Sequence, residues 1–100
     1  MPVIVREKVE VSDTETEIIE PQYTPHDKDR IFTVSNGEHE IDVKAWGSEN
    51  GETWTEKATI TLPANQTGSL IVGPFLYYVK LTGNTITPGT ISMVDACLVY

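Results

Sequence analysis

Ser48-Glu49-Asn50-Gly51-Glu52-Thr53-Trp54 joins two segments that alternate between apolar and polar residues, and that arrangement decides the fold class. Asn-Gly supplies the residues that tolerate positive φ in a tight turn, and a β-favouring aromatic follows at once. Before the turn, Ile41, Val43 and Ala45 share one face against Asp42 and Lys44. After it, Trp54, Ala58, Ile60 and Leu62 alternate with Thr55, Lys57, Thr59 and Thr61. Further on, Phe75, Tyr77, Val79 and Leu81 fall on one face of another alternating run. A period of two on both sides of a turn is the signature of antiparallel β structure.

The same reading extends outward. Val3, Val5, Val9 and Val11 alternate with Arg6, Lys8 and Glu10, which predicts a half-buried first strand. Residues 14–20 alternate more weakly, with apolar content confined to Ile18-Ile19, and Pro21 and Pro25 frame a polar connection over 22–30. Ile31 to Ser35 reads as a strand, and Asn36-Gly37 as a two-residue hairpin turn. Pro63 to Gly68 is a turn cluster, Gly73-Pro74 breaks a short strand at 69–72, and Gly83-Asn84 and Pro88-Gly89 bracket a short piece before a last strand at 90–100. No window carries a 3.6-residue period long enough for a substantial helix. The expectation is an all-β, antiparallel sandwich, jelly-roll-like, of about eight short strands. One domain spans 1–100, with residues 1–30 as an acidic N-terminal strand or arm plus a proline-containing loop, and 31–100 as the sandwich. Its predicted core is Trp54, Ile60, Leu62, Phe75, Tyr77, Val79 and Leu81.

Composition narrows the function. A 100-residue chain with 39% hydrophobic and 22% charged residues belongs to the folded globular class. Its formal net charge of −8 argues against binding a phosphate backbone or an anionic membrane surface. The single cysteine, Cys97, allows no disulfide within the chain. No signal peptide and no apolar run of transmembrane length are visible, which implies synthesis in a cytoplasm. Beyond Lys57 the only charges are Lys80 and Asp95, and the last strand is apolar on both faces for much of its length. A strand buried on both faces lies between layers or under another subunit, so an interface is expected. The candidate interface residues are Val3, Val5, Val9, Val11, Trp46, Tyr78, Leu98 and Tyr100.

Catalysis finds little support. His26 and His39 lie in different regions, and no serine sits in a nucleophile-elbow context. Cys97 in an apolar strand reads as a buried structural thiol. His26-Asp27-Lys28-Asp29 reads as a solvated loop rather than a metal site. Asp13, Glu15 and Glu17 share a strand face, but they lack a glycine-bearing ligand loop and fit an acidic edge that discourages aggregation. Neither a cofactor nor a metal is expected. Asn65-Gln66-Thr67 is a glycosylation sequon without a secretion signal. The aromatics Trp46, Trp54, Tyr77, Tyr78, Tyr23 and Tyr100 leave open a sugar-stacking platform, with Trp54 and Tyr77 placed in the core and Trp46 and Tyr78 on outer faces.

The Ser48 to Trp54 turn is similar to hairpins of several β-sandwich families. It resembles the Asp-box of sialidases, with Asn50 in place of aspartate, one residue fewer and a single occurrence, which excludes a propeller of repeats. Tyr77-Tyr78-Val79-Lys80-Leu81 looks like a strand of discoidin-like, galactose-binding sandwiches, which are longer domains. In length and order the chain more closely resembles short structural proteins of tailed phages, through Asp42–Trp46, Ser48–Trp54, Phe75–Leu81 and Thr90–Tyr100; the acidic first 30 residues lie outside the resemblance. That likeness implies a non-enzymatic virion component: a capsid decoration or minor head or tail protein, self-associating as a trimer and binding the phage major capsid or tail protein. The alternative is a carbohydrate- or ligand-binding module of a larger surface protein.

Overall fold

The computed structural model describes residues 2–24 and 28–100. Eight strands follow one another: β1 (Val3–Val11), β2 (Thr16–Tyr23), β3 (Arg30–Ser35), β4 (Ile41–Ser48), β5 (Thr55–Leu62), β6 (Thr67–Val72), β7 (Tyr78–Thr85) and β8 (Ser92–Val99). They form two four-stranded antiparallel sheets, ordered β1-β8-β3-β6 and β2-β7-β4-β5. That order is the double Greek key of an eight-stranded jelly roll. No described residue is helical.

Each strand sends alternate residues inward. Phe32 and Val34 of β3, Ile41, Val43 and Ala45 of β4, Val79 and Leu81 of β7, and Val94, Ala96 and Leu98 of β8 meet between the sheets. Leu62 closes the core from β5, and Leu70 and Val72 close it from β6. Several expected placements change. Val11 and Leu98, expected at an interface, are fully buried in the core, while Val9 and Tyr100 pack partly buried against it. Ile60 is likewise only partly buried. Phe75 is 73% exposed and Tyr77 is also exposed, because β7 begins at Tyr78 and residues 73–77 form a loop in which Phe75 adopts a φ of 76°. Trp54 precedes β5 and is half-buried outside the core.

The N-terminal arm is part of the sandwich. β1 pairs with β8 and β2 with β7 of the same chain. β2 runs through Pro21, which an edge strand tolerates because it need not donate on its open side. A register shift between Glu17 and Ile19 accompanies burial of both neighbours, Ile18 and Ile19. Arg6 of β1 grips Glu20 of β2 through both carboxylate oxygens, and this bond holds the Glu20 carboxyl below its ordinary pKa. The pair is surface-exposed and ties the edges of the two sheets together.

Asn36-Gly37 makes no hairpin. β3 and β4 lie in different sheets, and the segment is a corner that carries the chain across. Asn36 Nδ2 donates to the carbonyls of His39, Leu62 and Pro63, while its Oδ1 accepts from the Gly37 amide and from Ser92 Oγ. A Cβ at position 37 would stand 2.4 Å from the Met93 carbonyl oxygen, so glycine serves close approach there rather than positive φ. Gly83-Asn84 also lies inside β7, where Gly83 makes room for Ile18.

At the end of the sandwich Arg30 is fully buried. Its guanidinium donates to Thr24 Oγ1 at 3.1 Å, to the Gly73 carbonyl at 2.6 Å and to the Leu76 carbonyl. The fork thus fixes both ends of the 73–76 segment, and burial pushes its pKa down, partly offset by Asp29. Arg30→Ala leaves these buried acceptors unpaired and should lower unfolding free energy by on the order of 3 kcal/mol in denaturant titrations; a loss under ~1 kcal/mol would refute the clamp. Phe75→Gly should leave stability unchanged or raise it by up to ~1 kcal/mol, since it relieves left-handed strain without emptying the core. A loss of ~3 kcal/mol, as for a core phenylalanine, would contradict the loop.

Candidate functional site

The two outer faces of the sandwich differ in chemistry. On the sheet β2-β7-β4-β5, polar and aromatic side chains are held by one another. Ser48 Oγ accepts from the amides of Asn50 and Gly51, and Asn50 Oδ1 accepts from those of Glu52 and Thr53. Two side-chain turns in series therefore shape the Ser48–Trp54 loop, with Gly51 at a φ of 78°. The loop brings Trp54 to the Lys80 ammonium, which lies 4.7 Å from its ring centroid and 5.5 Å from that of Trp46. Trp46 Nε1 donates to Thr82 Oγ1 at 2.8 Å, and that hydroxyl donates to Glu15 at 3.1 Å. Thr61 donates to Asp42, and Lys44 stands 3.6 Å from Glu56. Tyr23 stacks on Tyr77 and meets Tyr78 edge-on. A sugar stacking on the Lys80 side of either indole would displace a cation already there.

The outer face of β1-β8-β3-β6 carries few such partners. Val3 pairs with Val99, Val99 with Ile31, and Ile31 with Ile71, so one row of four branched apolar residues crosses all four strands. Val3 is 54%, Ile31 39% and Ile71 54% exposed. The next row is Val5, Cys97, Thr33 and Ser69. Asp95 and Ser35 follow, with Glu7 beside them. A shallow cavity of about 160 Å³ lies over Val5, Glu7, Thr33, Ser35, Asp95, Ala96 and Cys97. Pro2, Lys28, Asp29 and Tyr100 border the other end, with Ile31 and Val99. The residues of β8 that made it apolar on both faces, Met93, Cys97 and Val99, thus face out here.

Of the eight residues expected at an interface, Val3 and Val5 reach this face. Trp46 and Tyr78 are half-buried on the opposite sheet. Sequence reading missed Ile31, Ile71 and Val99, whose alternation carried the signal but whose shared row depends on strand order. The acidic trio disperses: Asp13 accepts from the Gly89 amide, Glu15 from Thr82, and Glu17 is exposed on β2. Among the described residues no three His, Cys, Asp or Glu gather as metal ligands; His26 and Asp27 lie outside the described residues.

No protein-family model matches the sequence, and no curated protein matches it. The fold is similar to the crystal structure of PirA, with a TM-score of 0.66 at 13% identity over 95% of this chain and 90% of that one. It is similar to the SPBc2 prophage-derived protein YomS, with a TM-score of 0.60 at 13% identity over 99% and 94% of the two chains. A chain of the disulfide-linked pili formed by Bacillus endospore appendages is similar at a TM-score of 0.51 and 13% identity, over 96% of this chain and 84% of its own. At these identities the likeness is one of fold.

Because Trp54 covers Lys80 rather than filling the core, Trp54→Ala should cost about 1–2 kcal/mol in chemical denaturation, the scale of a half-exposed ring with a cation contact. A cost of 4 kcal/mol or more, the scale for emptying a core site, would return the ring to the interior.

Proposed function

We propose that this chain is a non-enzymatic structural protein of a tailed-phage particle, a capsid decoration or minor head or tail component. It is made in the host cytoplasm and associates with itself and with the capsid or tail lattice. The observation that carries this reading is the apolar row Val3-Val99-Ile31-Ile71 on one outer face, opposite a face whose polar groups bond to each other. Exposed contiguous apolar surface marks protein contact. The order of motifs from Asp42 to Tyr100 supports the phage assignment, and a prophage-derived chain shares the fold over 99% of this one.

Mass spectrometry of purified particles from a phage or induced prophage that carries this gene should find the protein in fixed ratio to the major capsid or tail protein. Purified protein should also co-sediment with particles that lack it. A chain absent from particles, and unable to bind them, would contradict the reading.

A further inference from the structure

We infer that the outer face of β1-β8-β3-β6 is covered by the same face of a second copy, related by a two-fold axis that lies between the faces and runs across the strands. The inference rests on the self-association in the reading above and names its surface and symmetry. Three observations point to a second copy. First, the face is a ridge beside a groove: Val3, Val99, Ile31 and Ile71 form one row, and the next row, Val5, Cys97, Thr33 and Ser69, lines the shallow cavity through Val5, Cys97 and Thr33. A two-fold axis between these rows sets each ridge into the other copy's groove, the self-complementarity that an isologous contact requires.

Second, the charges lie at opposite ends. Lys28 and Asp29 border the ridge end, which is neutral with both counted. Glu7 and Asp95 border the groove end, which stays negative with Lys8 counted. The same axis brings Lys28 of each copy toward Glu7 and Asp95 of the other. The two rows between these ends carry no charged residue, so a chain of net charge −8 meets its copy where like charges are absent. Third, the size fits. Four strands at ~4.8 Å spacing and three outward rows at ~6.8 Å give roughly 400 Å² in projection. The two copies together then cover on the order of 800 Å², the scale of a weak, reversible pair.

Cys97 reports on the geometry. Sheets packed face to face stand ~10 Å apart, and the offset across the axis puts the two Cys97 Cα atoms ~12 Å apart. A direct disulfide, which needs Cα atoms within ~7 Å, is out of reach, whereas a short bismaleimide spans the gap. The full chain should therefore give a covalent pair with that reagent and a two-copy mass by light scattering. Thr33→Arg, an outward substitution in the groove, should abolish both while its thermal melt stays within a few degrees of wild type. Lys28→Glu and Glu7→Lys should each weaken the pair about 3- to 10-fold, and the double reversal should restore it. Cys97→Ser, as the control, should keep the two-copy mass and lose the link. A stable trimer, or a pair that Cys97 does not link and Thr33→Arg does not dissociate, would overturn this surface while leaving self-assembly intact. A monomer that still binds particles would overturn self-pairing and leave the lattice role; a monomer that ignores them would remove both.

Discussion

The Lys8 amide donates to Asp95 Oδ1 at 2.8 Å, and the bulge that this bond holds decides which residues of β1 meet the core. Before it, Val5 pairs with Cys97 and Arg6 with Ala96; after it, Val9 pairs with Val94 and Val11 with Ser92. One extra residue on β1 has been absorbed at Glu7-Lys8, where Lys8 takes a φ of 53°. A left-handed conformation outside glycine costs on the order of 1 kcal/mol, and a charge-assisted bond to Asp95 offsets it. Because side chains alternate with a period of two, one extra residue exchanges the faces. Ile4 packs inward on one side of the bulge and Val9 and Val11 do so on the other. Val3 and Val5 are left in solvent.

That exchange adds to the contrast between the outer faces. Val99, Ile31 and Ile71 already adjoin one another across β8, β3 and β6, and Val3 carries the row onto β1. Across the sandwich, Lys80 finds two indoles, Thr82 links Trp46 to Glu15, and Asp42 and Lys44 each have a neighbour. These groups of the polar sheet find their partners within one chain. The apolar sheet is the surface proposed to be covered, and its charges would give direction to that contact. Association there would exclude water from surface that folding alone leaves wet.

The all-β class and most of the strands were legible in the sequence because period-two alternation is local. Val43, Ala45, Val79 and Leu81 fall where that period puts them. Pairing was harder to read. Asn36-Gly37 has the composition of a hairpin but serves as a corner between sheets, since Ser92 and the Leu62 carbonyl, distant in sequence, supply its partners. Phe75 and Tyr77 share the parity of Val79, yet the Arg30 clamp holds their segment outside the strand. Val11 and Leu98 fell on the wrong side of the core for two reasons: the bulge depends on Asp95, far along the chain, and the inward phase of β8 was ambiguous when both its faces were apolar. The candidate surface was therefore half visible, through Val3, Val5 and the two-faced last strand.

The register of β1 against β8 tests the account most directly, through cross-strand nuclear Overhauser contacts in the isotope-labelled protein. The structure requires Val5 opposite Cys97 together with Val9 opposite Val94 and a left-handed backbone at Lys8. An unbroken register that sets Val9 opposite Met93 would turn Val9 and Val11 to solvent and contradict the core.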